Sequence, residues 1–366
     1  MKYTLSEQVV AIMDIYDLSP LELMQTLRDS VERELENFFR TIVPTWMGGI
    51  CQESVESIRE FTMRGGKRVR PILMITGHDL FSPFDQKVVR ASISIELTQS
   101  YLLIHDDIMD QSDTRRGKPS LHAFFRNKFS QIAQDPKRLS ENVAIVAGDL
   151  AEAFAHRSLL ESGLDSNALL SANIDLSRII EFTGYGQLID ITSAFESKFS
   201  QKDLLRLHLL KTAKYTVEGP LMMGAHLSET KSNLRPLSYY GLLTGIAFQL
   251  HDDILGLFGN EAETGKSIKS DVIEGKKTLL VLKAVELSSK GDADFLLNTL
   301  GRPDIGDGDF IRFRKIVENS GSLDYSISLI EKLNAKSKEY LESLEGDRRI
   351  KNFLSWFADY LIQRKH

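Results

Sequence analysis

With 366 residues, 42% of them apolar and 26% charged, the chain has ample material for a globular core, which excludes a disordered protein. A net charge of −6 lacks the basic footprint of nucleic-acid binding, so no nucleic-acid partner is expected. The lone cysteine, Cys51, excludes a disulfide framework or a cysteine zinc site within one chain and fits a reducing, cytoplasmic compartment. The first residues carry no signal-peptide apolar region, and no apolar run reaches ~18 residues, so neither secretion nor stable membrane insertion is expected.

Helical periodicity runs almost without interruption, and strand-like alternation is scarce. The first predicted helix, 20–40, opens at Ser19-Pro20, an N-cap followed by proline in the first helical position. Further helices are predicted at 51–64, 71–81, 86–109, 142–162, 167–192, 201–226, 233–258, 274–289, 309–319, 323–343 and 348–364. Breaks fall at Gly65-Gly66, Gly117-Lys118-Pro119, Gly163, Gly259-Asn260 and Gly301-Arg302-Pro303. Asn127 to Asn142 is polar and reads as a surface insertion, and Gly301 to Gly308 as a loop between helices. No composition shift marks a boundary. The expectation is a single all-α domain over 1–366 with a core of long helices.

Two aspartate pairs stand out, each in an apolar helical stretch: Asp106-Asp107-Ile108-Met109-Asp110, and Asp252-Asp253. On a helix Asp106 and Asp110 share a face, with Asp107 beside them. Carboxylates that close repel by about 3 kcal/mol per pair at an effective dielectric near 20. A lone Asp-Asp pair is ordinarily a solvated helix face or a cap. Here both pairs follow runs without charged residues, Leu97 to His105 and Tyr239 to His251, and the pattern occurs twice. A cation accounts for both, and an all-oxygen ligand set favours Mg²⁺ over zinc.

Cations stand where a polyanion would need them. Gly65-Gly66-Lys67-Arg68-Val69-Arg70-Pro71 sets three basic side chains and two glycines before a helix, an arrangement that suits phosphate. Alone, it reads equally well as a solvated basic loop. Arg115-Arg116 follows the first acidic motif closely, and Lys211-Thr212 and Lys266…Asp271…Lys276-Lys277 continue the series. Acids and bases in this order suggest metal-bridged diphosphate binding. No nucleophile elbow or phosphate-binding P-loop is present, and His105 and His251, each before an aspartate pair, read as structural histidines.

These motifs, in this order, closely resemble those of the trans-isoprenyl diphosphate synthases, the polyprenyl synthetases, over about residues 60–290. The resemblance rests on Gly-Gly-Lys-Arg-Val-Arg-Pro, Asp106-Asp107-Ile-Met-Asp110 with Arg115-Arg116-Gly, Gly186-Gln187-x-x-Asp190, Lys211-Thr212, and Phe248-Gln249-x-x-Asp252-Asp253. It implies a helical bundle around a deep central cavity (the isoprenoid synthase fold), normally as a homodimer. It further implies three Mg²⁺ ions, two on Asp106 and Asp110 with Asp107 nearby and one on Asp252, beside Asp253. Arg115, Lys211, Thr212, Gln249, Lys266 and Lys276 would meet an allylic diphosphate, Lys211, Thr212, Gln249, Lys266 and Lys276 serving catalysis. Gly66, Lys67, Arg70 and Arg116 would hold isopentenyl diphosphate. Gln99 stands where many members carry a histidine, and Gly256 where the second motif commonly ends in aspartate; some members share each departure.

The implied reaction is head-to-tail (1′-4) condensation: ionisation of the allylic C–O bond, attack by the isopentenyl double bond, then proton loss to the departing diphosphate. The Gly-Gly-Lys-Arg segment and Arg116 argue against a terpene cyclase, which has no second diphosphate to bind. An intact first motif argues against a non-catalytic partner subunit. Tyr101 and Leu102 precede Asp106 by one helical turn or slightly more, roughly 6–7.5 Å along the axis, and would set the floor for chain growth. An aromatic there, with a smaller residue after it, resembles archaeal geranylgeranyl diphosphate synthases. A twenty-carbon product is expected, with farnesyl diphosphate as runner-up.

Overall fold

The computed structural model describes residues 15–193, 195–196, 198–259 and 267–363. A 3-10 turn at Ile15–Asp17 leads into α1 (Pro20–Ile42), where Ser19 and Glu22 bond each other's backbone in a capping box and Pro20 occupies the first turn. Then come α2 (Gly49–Thr62), α3 (Val69–Asp79), α4 (Gln86–Met109) and a hairpin of β1 (Thr114–Arg115) antiparallel to β2 (Lys118–Pro119). α5 (Leu121–Phe129), α6 (Pro136–Leu160), α7 (Ser166–Ser193) and α8 (Gln201–His208) follow. A π-helical stretch, Leu209–Glu218, joins α8 to α9 (Gly219–Leu227), which precedes α10 (Arg235–Phe258). The remaining helices are α11 (Ser270–Ile273), α12 (Leu279–Leu287), α13 (Lys290–Thr299), α14 (Asp307–Asn319), α15 (Ser322–Glu342) and α16 (Arg348–Gln363). The hairpin supplies the only strands among the described residues. The fold class is all-α, as expected.

Several segments depart from the predicted elements. Asn127 to Asn142 lies largely at the surface, but it is not without regular structure: α5 runs to the buried Phe129, and α6 already starts at Pro136. The Asp135 side chain accepts from the Arg138 N–H while proline takes the first helical position, so local start signals outweigh the polar composition. The single helix predicted over 201–226 is α-helical only to His208 before it widens. The helix predicted at 274–289 is divided instead, with Gly275 in the left-handed region at φ +75° and Thr278 capping α12. α13, capped by Ser289, was not foreseen.

The residues gather into two compact units: those up to Leu176 with Pro220–Lys231, and Ser177–Gly219 with those from Ser232 onward. In the first, α4 lies along α6. Ala144, Ala147, Ala151 and Ala155 form a fully buried stripe of small residues on α6, at the spacing of one helix face. Glycines let helices cross backbone against backbone. A Cβ on Gly77 would lie 2.3 Å from the Leu221 carbonyl oxygen, and one on Gly224 only 1.9 Å from that of Met74.

In the second unit α10 packs on the π-helical stretch and on α15. Here too the crossings are made at glycines: a Cβ on Gly245 would lie 2.5 Å from Ala213 Cα, and one on Gly241 2.6 Å from Glu218 Cα. Leu204, Leu207, Ile246, Leu250, Leu279 and Ile330 close the core around this junction. Elsewhere Tyr240, fully buried, donates its hydroxyl proton to the Leu354 carbonyl at 2.7 Å and ties α10 to α16.

Gly224→Ala should lower unfolding stability by about 1–3 kcal/mol, because a backbone contact leaves no room for a methyl group. Gly291→Ala, where nothing lies within 4 Å, should instead raise it by about 0.4–1 kcal/mol. Urea midpoints shifting in opposite directions would bear out the crossing; a neutral Gly224→Ala would contradict it.

Candidate active site

In the first unit α4 ends in acid. Asp106 and Asp107 lie in its last turn, Asp110 is its C-cap residue, and no basic residue of that turn offsets them. The negative end of the helix dipole adds to the carboxylates' mutual repulsion. The three are not equivalent. Asp106 is half-buried and Asp110 exposed, whereas the Asp107 side chain is only 1% exposed. Asp107 Oδ1 accepts from Arg115 Nε at 2.8 Å and from Nη2, and Nη2 also lies 3.6 Å from Asp106 Oδ2. Burial pushes the Asp107 carboxyl up, against the pull of Arg115. Asp107, expected beside the metal-holding Asp106 and Asp110, is turned inward onto a guanidinium.

Arg115 pairs with Lys118 across the hairpin, so Arg116 and Gly117 form its two-residue turn, at φ 54° and 71°. Arginine at positive φ is strained, and such strain collects at functional sites. Arg116 Nη1 donates to the Gly65 carbonyl, and a Cβ on Gly66 would lie 3.3 Å from Nη2. Arg115 therefore serves the carboxylates and Arg116 the basic loop. Within that loop Lys67 and Arg70 are half-buried, as is Gln99 on α4. Arg68 differs. It is buried, at φ 48°, and donates to Glu32 at 2.8 Å, to Glu96, and to the Thr62 carbonyl at 2.8 Å. Burial of its head, together with Arg68, Arg70 and Arg115, pushes the Arg116 pKa down against the pull of Glu96. An arriving anion would relieve that repulsion.

Tyr101 and Leu102 are half-buried on α4, with the tyrosine ring edge-on to His105 at 4.9 Å. His105 Nε2 bonds the Ile145 carbonyl at 3.0 Å, and a Cβ on Gly148 would fall 2.3 Å from it. That is a structural histidine, as expected. Burial, with Glu152 and Asp149 nearby, raises the Tyr101 pKa.

The second unit holds a cavity of about 430 Å³ lined by Lys211, Thr212, Gln249, Asp252, Asp253 and Lys276, among others. Lys211 and Thr212 belong to the π-helical stretch, a geometry common at functional sites. Gly186 lets α7 press on it: a Cβ there would lie 2.6 Å from the Lys211 nitrogen. Asp190, one turn on, takes the Lys211 ammonium. Thr212 Oγ1 donates to Gln249 Oε1 at 2.8 Å, and Gln249 Nε2 donates to Asp253 Oδ1 at 3.0 Å. Like Asp107, Asp253 is buried beside a partner of the chain itself, whereas Asp252 is half-buried. Burial would lower the Lys276 pKa, but Asp271 at 3.0 Å and Glu274 at 2.6 Å outweigh it and hold the pKa above the usual lysine range. Lys266 lies outside the described residues.

Two features of this cavity escape sequence reasoning. A Cβ on Gly256 would sit 2.3 Å from Asp271 Oδ2, so α11 brings a carboxylate to the place where the motif lacks one. His208, also buried, lines the cavity beside Asp253. Its one sequence signal is its position a turn before Lys211. Among the described residues no three carboxylate or imidazole groups converge as a ready-made cage. The oxygen donors nonetheless fit Mg²⁺, which takes one or two carboxylates and completes its shell with phosphate and water. Asp107 Oδ2, buried without a hydrogen bond, adds negative potential that a cation would offset.

Residues 52–315 match the family model described as Polyprenyl synthetase. The geranylgeranyl diphosphate synthase of Sulfolobus acidocaldarius is 30% identical over 344 residues, 92% of this chain and 98% of that one. The synthase of the same name from Saccharolobus solfataricus is 31% identical over 82% of this chain and 87% of its own. Among solved structures, a geranylgeranyl pyrophosphate synthase of Corynebacterium glutamicum, complexed with isoprenyl diphosphate and magnesium, superposes with a TM-score of 0.86. It is 29% identical, covering 95% of this chain and 100% of that one.

Arg68→Ala strands Glu96, 4% exposed, without its buried partner and should cost about 3–5 kcal/mol of unfolding stability. Lys67→Ala should cost far less. Equal losses in chemical denaturation would contradict the assignment of Arg68, rather than Lys67, as the cation that holds the loop.

Proposed function

The chain belongs to the polyprenyl synthetase family and is a trans-prenyltransferase; we propose that it condenses isopentenyl diphosphate head to tail with allylic diphosphates, releasing diphosphate and yielding mainly geranylgeranyl diphosphate. The observation that carries this reading is the hairpin: adjacent arginines take different partners, Arg115 the carboxylates that end α4 and Arg116 the Gly65 carbonyl. That layout suits two polyanions, one bridged to carboxylates by metal and one held by cations alone. A cyclase needs only the first. Relatives named geranylgeranyl diphosphate synthase, matched over most of their length, support the twenty-carbon product.

In this reading Asp106 and Asp110 hold two Mg²⁺ ions and Asp252 a third, while buried Asp107 and Asp253 orient Arg115 and Gln249. Mg²⁺ bound there would neutralise the leaving diphosphate and so ease ionisation of the allylic C–O bond. Arg115, Lys211, Thr212, Gln249, Lys266 and Lys276 bind and orient that diphosphate. Gly66, Lys67, Arg70, Gln99 and Arg116 hold isopentenyl diphosphate so that its double bond meets the allylic carbon at high effective concentration. The departing diphosphate takes the proton, and no side-chain base is needed. Tyr101 and Leu102 limit the growing tail.

We further propose a cytoplasmic homodimer. A reducing compartment suits the exposed, free Cys51. Among the described residues no helix is long and apolar enough to cross a membrane. A second copy would cover the large aliphatic side chains left in solvent on α6 and α7, such as Val146 at 57% and Leu170 at 60% exposure.

Purified protein given Mg²⁺, isopentenyl diphosphate and dimethylallyl or farnesyl diphosphate should release chiefly the twenty-carbon product. Asp110→Ala should lower kcat at least about a hundredfold. Lys67→Ala should chiefly raise the KM for isopentenyl diphosphate, by about ten- to a hundredfold. Tyr101→Ala should lengthen the product by at least one isoprene unit. Near-normal turnover by Asp110→Ala would sink the metal assignment, and an unchanged profile for Tyr101→Ala would place the floor elsewhere. Sedimentation at micromolar concentration should give twice the mass of one chain; a monomer would contradict the dimer.

A further inference from the structure

His208 closes α8 and is the last residue before the helix widens. It is only 6% exposed and lines the cavity of the second unit. Its Nε2 lies 3.2 Å from Asp253 Oδ2. Neither atom makes an aligned hydrogen bond to any group, so each buried atom has the other as its electrostatic partner. The second oxygen of Asp253 accepts from Gln249 Nε2 at 3.0 Å, and Gln249 Oε1 accepts from Thr212 Oγ1 at 2.8 Å. Four side chains from α8, the π-helical stretch and α10 thus form one line: His208, Asp253, Gln249, Thr212.

The chemistry of the line is directional. A carboxamide has a donor end and an acceptor end of nearly equal shape, and its orientation is set by what each end meets. Here the acidic neighbour selects the amino end and the hydroxyl selects the carbonyl end. Gln249 is left with one N–H to offer the cavity. The Thr212 proton is committed to Gln249, so Thr212 presents only its oxygen. All of this depends on Asp253 Oδ1 staying where it is. A buried carboxylate with no opposing group is costly and turns toward any cation within reach.

We propose that His208 is a positioning residue: by holding Asp253 Oδ2 it makes Asp253 an anchor for Gln249 rather than a metal ligand, and so fixes the amide and hydroxyl presented to the diphosphate. The proposal rests on the reading of Gln249 and Thr212 as diphosphate contacts. Asp252, half-buried on the same helix, keeps the metal role alone.

Two readouts on the full-length enzyme test it. In turnover assays His208→Ala should lower kcat by about tenfold or more, because Asp253 Oδ2 loses the imidazole that lies 3.2 Å from it, with the KM for isopentenyl diphosphate within twofold of wild type. His208→Gln, whose side-chain amide can donate from a similar place, should recover most of that loss. In calorimetry with Mg²⁺ and a thio-linked allylic diphosphate that cannot ionise, Asp253→Asn should bind as many ions as wild type but the analogue about tenfold more weakly. Asp252→Asn should bind one ion fewer. If His208→Ala does not fold, the Asp253→Asn calorimetry carries the test alone. Loss of an ion in Asp253→Asn, wild-type kcat in His208→Ala, or no recovery with Gln would each overturn the proposal. A wild-type enzyme that fails to condense would overturn the functional reading itself, whereas an active wild type with an indifferent His208→Ala overturns only this inference.

Discussion

Negative charge gathered at the negative end of a helix is the constraint on which the rest of the molecule depends. α4 ends in Asp106, Asp107 and Asp110, and Asp252 and Asp253 lie toward the end of α10; neither helix has a basic residue in its last turn. Dipole and side chains act in the same direction there. Each unit resolves the conflict in the same way. One carboxylate of each motif is buried against groups of the chain itself, Asp107 against Arg115 and Asp253 against Gln249 and His208. Others stay nearer solvent. Each acidic motif is thereby split into a buried carboxylate and one or two nearer solvent.

A similar division of labour runs through the cations. Arg68 stands between Lys67 and Arg70 in sequence, yet three protein acceptors consume it. It locks the loop on which the others ride. Asp190 takes the Lys211 ammonium, and Asp271 and Glu274 take that of Lys276, so these lysines are held ready rather than left to wander. Charged groups with full hydrogen-bond complements lose less freedom when a ligand arrives.

The helices and both acidic motifs were legible because their signals are local: period, cap residues, and charge set on apolar surroundings. Ser19-Pro20 and the glycine breaks at 65–66 and 163 fall where they were read. The remainder was hidden for physical reasons. Whether an aspartate in a motif faces in or out depends on where Arg115 returns from the hairpin, which no spacing announces. Gly256 looked like a gap in the second motif, and only the path of α11 shows Asp271 in that space. The polar stretch before Asn142 lies at the surface as its composition says, but composition says little about backbone state, whereas the Asp135-Pro136 start signal inside it says a good deal.

The π-helical stretch acts as a phase shifter. Each of its residues turns the chain through less than the ~100° of an α-helix, so a face read at the α-helical period does not continue through it. Over 201–226 a stripe of apolar residues read at one period drifts off the core partway along. Lys211 and Thr212 sit where that drift begins, and the glycines of α10 are cut to the widened turn. Length in this segment is therefore as strongly constrained as identity. Adding or removing one residue would leave every side chain in place by name and rotate the whole downstream face away from its partners.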